Sequence, residues 1–144
     1  PVCIRGEAMT FDEARDIILG FFKAAWDPTG FPAVWTDVPG SAPTSETVWA
    51  RATIRHATGR QASLSDDQGA KRWSRTGTVY IQVFAPVGDG SKAGYDAAQL
   101  VVNAFQAARH PNVWFRDVRM NEAGTSGAFE QLNVLATFSY DDVR

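Results

Sequence analysis

The sequence predicts an α+β fold, in which a mostly antiparallel (mixed) β-sheet carries two main helices on one face. Two segments place apolar residues at helical spacing, and five others have strand character, the longer ones alternating apolar and polar residues. The order is helix, three strands, helix, two strands, without an internal repeat. One sheet with its helices on one face accommodates that order. We expect a lead-in over residues 1–9 and a single α+β domain over residues 10–144.

The first helix has both a start signal and a stop signal. Thr10 and Glu13 have the spacing of a capping box, and Pro28 and Gly30 follow the helical pattern. Between these signals, one broad apolar stripe is predicted to face the core: Phe11, Ala14, Ile17, Ile18, Phe21, Phe22 and Ala25.

The middle of the chain predicts three strands and a flap. "FPAVWTDVP" is a short segment bracketed by prolines, whereas "ETVWARATIRHAT" and "SRTGTVYIQVFAP" alternate as half-buried strands do. Residues 59–72 lie between the two longer strands and have neither a helical nor a strand period. They are predicted to form a long polar β-hairpin connection or flap, poorly ordered in a free subunit and ordered in an assembly.

A glycine-rich turn precedes the second helix in "APVGDGSKAGYDAAQLVVNAF". Its spacing matches neither a Walker-type phosphate loop nor the dinucleotide-binding pattern, so it predicts a turn and no cofactor site. The following helix has its own apolar stripe and ends at His110–Pro111. The strands "NVWFRDVRM" and "FEQLNVLATFSY" close the chain, with the Gly-rich "NEAGTSGA" predicted as their connection.

Composition narrows the class of protein. The chain has 144 residues, a formal net charge of -2 and one cysteine, Cys3, which has no internal partner for a disulfide. A general nucleic-acid binder would usually carry a basic excess. No apolar run approaches the roughly 20 residues that span a bilayer. We therefore expect a protein with no membrane partner.

Catalytic, metal and cofactor residues are not predicted. His56 and His110 have no second ligand at metal-binding spacing, and each is interpreted as structural. Cys3 has no plausible base near it in the sequence. The aspartate pairs near residues 66 and 141 are typical of solvated surface. The prediction is therefore a protein that is not an enzyme, with no cofactor and no metal.

Arginines concentrate on the second and third strands and on the flap. A nucleic-acid interface, a protein–protein contact surface and a plain solvated face all remain open interpretations. Acidic residues among the arginines favour protein contact over nucleic acid. The predicted subunit or partner interface comprises Trp49, Arg51, Arg55, Arg60, Asp66, Asp67, Arg72 and Arg75.

The layout resembles the tail terminator (tail-completion) proteins of long-tailed bacteriophages. The resemblance rests on the early helix "TFDEARDIILGFFKAAW", the strand "FPAVWTDVP", the central "RTGTVYIQVFAPVGDGSKAGYDAAQLVVNAFQA" and the closing "FSYDD". It covers residues 10–142 and includes no catalytic motif.

This resemblance implies a structural virion protein at the head-proximal end of the tail, assembled in the host cytoplasm. Its subunits would form a ring, a hexamer in this family, that caps the tail tube and ends tube polymerisation. The implied partners are other copies of the chain, the major tail tube protein and the head-neck connector protein, with DNA only as cargo passing through the lumen. Three alternatives remain: another head-tail connector or neck protein, a small ligand-binding or enzymatic α+β domain, and a nucleic-acid-binding module.

Overall fold

Two α-helices and five strands make up the part of the chain that the computed structural model describes, which is residues 9–35, 47–61, 72–87, 92–126 and 129–143. A short 3-10 helix, Asp27–Thr29, follows the first α-helix. In chain order the elements are α1 Phe11–Trp26, β1 Ala33–Trp35, β2 Trp49–Gln61, β3 Arg72–Pro86, α2 Lys92–Ala107, β4 Val113–Ser126 and β5 Phe129–Val143.

The five strands form one mixed sheet in the order β1-β2-β3-β5-β4. Strand β1 runs parallel to β2, and every other neighbouring pair is antiparallel. The central strand β3 pairs with β5 along its whole length, from Arg72 opposite Val143 to Pro86 opposite Phe129. Both helices contribute to the core on one side of this sheet, so the predicted α+β fold is confirmed.

Helix α1 begins and ends where its sequence signals predict. The Glu13 backbone N–H donates to Thr10 Oγ1 at 3.1 Å, and the Thr10 hydroxyl donates to the Glu13 carboxylate at 3.1 Å. At the other end, Pro28 lies in the 3-10 helix and Gly30 adopts φ 76°, a left-handed conformation that glycine reaches without steric cost.

The buried face of α1 differs from the predicted stripe. Leu19 and Trp26 belong to it although the stripe omitted them, whereas Phe11 is 56% exposed. Residues three and four apart share a helix face, and the middle of the buried face of α1 runs through Ile18 and Phe22. The buried residues of α1 are Ala14, Ile18, Leu19, Phe22 and Trp26.

The core fills the space between the helices and the sheet. Alternate residues of the central strands are buried there as predicted, and α2 packs closely on them. A Cβ at Gly94 would lie 2.9 Å from Leu132 Cδ1 and 3.2 Å from Ala85 Cβ, so glycine allows this close approach of α2. Met9, predicted as the end of the lead-in, also belongs to the core.

Several predicted strand boundaries are corrected. Strand β2 continues through Gln61 and β3 begins at Arg72, because the two strands keep pairing beyond a bulge at position 57; the connection between them, residues 62–71, lies outside the described residues. The Gly-rich segment predicted to connect the last strands belongs instead to β4 as far as Ser126, where it pairs with β5 across a bulge at residue 123. Among the described residues β1 comprises Ala33–Trp35, and the end of the predicted segment, residues 36–39, lies outside them.

Candidate interaction surface

The sheet face opposite the helices carries polar side chains on its central strands. Because side chains alternate along a strand, the residues that flank the buried ones point away from the helices. Arg51 lies opposite Gln82, which in turn lies opposite Asn133 on β5. Within the described part of the chain, no helix packs on this face. We call it the helix-free face.

A shallow depression of about 230 Å³ lies on the helix-free face, lined by Thr53, Arg55, Tyr80, Gln82 and Asn133. Its hydroxyl, amide and guanidinium groups can donate hydrogen bonds to the carbonyl or carboxylate groups of a partner. Arg55 is exposed and forms no ion pair among the described residues. The described lining residues include no acid–base pair that would activate the Thr53 or Tyr80 hydroxyl, and their polar groups suit the depression to polar recognition.

An aromatic cluster lies beside this depression. Trp49 stacks on Phe84 with ring centroids 4.2 Å apart and meets Phe129 edge-on at 6.0 Å. The Arg51 guanidinium lies 5.5 Å from the centroid of the Trp49 ring. Trp49 is only 3% exposed, and its buried Nε1 has no hydrogen-bond partner among the described residues. Arg51 is therefore the more accessible part of this cluster.

Arg75 lies on the other face of the sheet, on the same side as the helices. Its guanidinium lies 4.9 Å from the centroid of the Phe11 ring. His56 shares this environment, because its Nε2 is 2.8 Å from the Tyr140 hydroxyl and its ring meets Phe11 edge-on at 4.9 Å. These contacts give His56 a structural role and give the exposed Phe11 its partners.

The predicted interface residues therefore do not form one surface. Arg51 and Arg55 share the helix-free face with the buried Trp49, and Arg75 lies on the opposite face. The backbones of Arg60 and Arg72 lie in β2 and β3, but their side chains are outside the described part of the chain, as are Asp66 and Asp67 entirely.

Neither a metal cluster nor a membrane span is found in the described ranges. No three His, Cys, Asp or Glu side chains there come together in a way that could hold a metal ion. No helix there has the length and apolar character needed to cross a membrane.

Comparison with known families identifies the chain. The model of the family described as "Phage tail terminator protein" matches residues 15–131, most of the sequence. The chain belongs to the phage tail terminator family. This tail terminator is therefore a structural component of the phage tail, and the family implies contact with other tail components. The resemblance seen in the sequence is confirmed.

Solved structures agree with the fold of this tail terminator. One of them, a protein without a descriptive name, has 19% sequence identity and a TM-score of 0.58, covering 90% of this chain and 95% of that chain. At this identity the similarity establishes the fold alone. No curated protein matches the sequence.

Two surface features of the tail terminator were missed by sequence reasoning. Trp114 of β4 is 45% exposed, and a groove of about 370 Å³ lies between α1 and β1. One signal could have indicated the groove: Gly20 interrupts an otherwise strong helical segment, where glycine is less favourable than alanine. The groove is lined by Arg15, Asp16, Leu19, Gly20, Lys23 and Trp35.

The environment of His56 predicts a pH-dependent stability. Partial burial lowers the pKa of His56 below its ordinary value of 6.5, and the nearby Arg75 charge lowers that pKa further. The unfolded chain therefore binds this proton more readily than the folded chain, so the free energy of unfolding should fall as pH drops below about 6.5. Urea denaturation between about pH 7.5 and about pH 5.5 measures this slope, and His56→Gln should reduce it. An equal slope in both proteins would contradict the assignment.

Proposed function

We propose that this protein caps the phage tail tube as a ring, in the manner of a terminator hexamer, and so ends tube polymerisation. The ring would also offer the joint to the head-neck connector protein, at the head-proximal end of the tail. The observation that carries the proposal is the family match across residues 15–131. A ring of this kind needs at least two contact surfaces on each subunit, one for its neighbours and one for the tube.

The helix-free face is the surface that we assign to the tube. It combines the exposed Arg55 with the amides of Gln82 and Asn133 around one depression. Arginine and aromatic residues are enriched at protein contact surfaces, and Arg51 with its aromatic cluster extends the same face. In the assembled tail, Arg60, Arg72 and the flap with Asp66 and Asp67 would contribute to the same contact, whereas Arg75 would serve a separate contact on the opposite face.

The length of polymerised tail tubes tests whether this protein caps them. Purified tail tube protein of the same phage is polymerised with and without this protein, and the tubes are imaged by electron microscopy. We expect added protein to shorten the tubes and to appear as ring density at one end of each. Tubes of unchanged length without terminal density would contradict the proposal. Density at the head-proximal end without an effect on length would favour the alternative of another neck protein.

Charge reversal at Arg55 tests the assignment of the surface. Arg55→Glu should weaken tube capping by about tenfold or more, because it places a carboxylate where the tube protein's acceptors would bind. The matched control is Lys92→Glu, a reversal of the same charge at an exposed residue of α2, outside the helix-free face. Capping is measured as the concentration that halves the mean tube length. Equal loss in both variants would mean that net charge matters and that the helix-free face does not.

At the depression on the helix-free face, a small-ligand site is the weaker alternative. Small-molecule pockets are typically enclosed, mostly apolar and about 300–1,000 Å³ in volume. The depression at Arg55 is shallow, polar and about 230 Å³. These properties favour a protein contact.

A further inference from the structure

We propose that neighbouring subunits of the ring join by inserting Trp114 of one copy into the groove between α1 and β1 of the next. This inference rests on the proposed ring, and it names the surfaces that would build it. Trp114 and the groove lie at opposite ends of the sheet, on the edge strands β4 and β1.

Trp114 provides the projecting side chain. Its neighbours in β4 face the helices: Val113 is buried, and Phe115 contacts Phe105 at 5.1 Å between ring centroids. Trp114 therefore points to the helix-free side of the strand, where 45% of its surface is exposed. Tryptophan dominates the energetics of many protein interfaces when it enters a pocket on a partner.

The groove provides a matching apolar floor. Leu19 and Trp35 form this floor, and Gly20 leaves it open, since a Cβ at that position would have no heavy atom within 4 Å. Glycine within a helix lowers helix stability relative to alanine, and nothing in the isolated subunit requires it here. A groove that must stay open to receive a large side chain explains why glycine occupies position 20.

Exposed carboxylates and cations flank both features. Beside the groove, Asp16 has a side chain that is 68% exposed and forms an ion pair with Arg15 at 3.3 Å, and Lys23 is exposed as well. Beside Trp114, the Asp117 side chain is 66% exposed and forms an ion pair with Arg119 at 2.6 Å, and Arg116 is exposed too. Lys23 and Arg116 form no ion pair among the described residues. Docking would add Arg116 to the Arg15–Asp16 pair and Lys23 to the Asp117–Arg119 pair, since one carboxylate can accept hydrogen bonds from two cations.

Placement at opposite edges favours a ring. An interface between two different surfaces of identical subunits is head-to-tail, and it closes into a ring when its rotation permits. Each subunit would present Trp114 to one neighbour and its groove to the other. The helix-free face around Arg55 remains available for the tube, because that depression lies on β2, β3 and β5.

Two substitutions test the contact from both sides. Trp114→Ala removes the inserted side chain, and Gly20→Leu fills the groove in the isolated subunit. Each should raise the concentration needed for half-maximal ring density on tube ends by about tenfold or more. Val87→Ala and Ala93→Leu are the matched controls, since they make comparable changes at exposed positions outside both features. Thermal melting of each variant checks that the subunit remains folded.

Cross-linking gives a second readout that does not depend on weakening the contact. In a chain carrying Cys3→Ser, the substitutions Ala24→Cys and Ser139→Cys place thiols beside the groove and beside Trp114. With a bismaleimide reagent, the double variant on tubes should yield covalent oligomers up to the full ring, and either single variant only dimers at most.

The outcomes separate this inference from the proposed function. If the unaltered protein forms no ring on tubes, the proposed function fails. If it forms rings but Trp114→Ala and Gly20→Leu form them equally well, and the double-cysteine chain yields no oligomers, the Trp114 contact is overturned. Loss of rings in both variants, with normal rings in both controls and with cross-linked oligomers, supports the contact.

Discussion

Replacing Gly77 with alanine should lower the free energy of unfolding by about 3 kcal/mol, one of the two largest effects that the structure predicts for a single substitution. A Cβ at Gly77 would overlap the backbone carbonyl oxygen of Arg55, and it would lie 2.5 Å from Phe138 Cζ and 2.9 Å from His56 Cα. Two of these three neighbours are backbone atoms of β2. The strands would have to separate to admit one methyl group, and the core beneath them would lose its packing.

Two other glycines supply matched controls for Gly77→Ala. At Gly59 the added Cβ meets the Arg75 side chain alone among the described residues, with Nη1 at 2.9 Å, and the end of that side chain can move. Gly59→Ala should therefore cost little. Gly20→Ala meets nothing and lies within α1, so it should stabilise the protein by about 0.5–1 kcal/mol. Urea denaturation ranks the three variants. A Gly77→Ala protein as stable as Gly59→Ala would contradict the described packing of β2 on β3.

Replacing Phe22 with alanine should cost about 3–5 kcal/mol, because its ring is fully buried and the surrounding core can fill the cavity only in part. Phe22 stacks on Trp26 with centroids 5.5 Å apart and meets Trp35 edge-on at 5.7 Å. The substitution therefore removes the contact of α1 with β1 and the stacking that supports Trp26 within α1.

Phe21→Ala is the matched control for Phe22→Ala. Phe21 is only partly buried, and its aromatic contact among the described residues is Phe115 at 5.7 Å. Replacing Phe21 with alanine should lower the free energy of unfolding by about 1–2 kcal/mol, because Phe21 buries less apolar surface than Phe22 does. Denaturation curves of the two variants decide the orientation of α1. Equal losses would show that the helix faces the core differently.

The pair Phe21 and Phe22 also marks the limit of what the sequence predicts about the fold. Both residues have helical spacing with Ile17 and Ile18, so the apolar stripe is broad and its centre is undetermined. The orientation depends on Trp35, which lies on another element and contacts Phe22. Local signals were sufficient where the interaction itself is local, as at the Thr10–Glu13 cap and in the alternation of Val79, Ile81 and Val83.

The sheet faces on which the candidate interface residues lie were predicted less completely than the fold, for a related reason. Alternation within β2 correctly places Arg51 and Arg55 on the same polar side. Trp49 also lies on that side, yet Phe84 and Phe129 cover it from strands far along the chain, and no short window of sequence contains those three residues. Arg75 belongs to the other face because Val79 and Ile81, at even spacing from it, point to the helices.

The two bulges in β4 affect whether other chains can pair with this edge of the sheet. A regular edge strand would be a template to which any extended chain could add by backbone hydrogen bonding, including another copy. In β4 the register shifts between Arg116 and Arg119 and again between Glu122 and Gly124, and Asp117 takes φ 53° at the first shift. Such an edge resists endless strand addition. In the proposed ring, recognition at this end of the sheet depends on side chains such as Trp114, and growth by indefinite sheet extension, as in a fibril, is disfavoured.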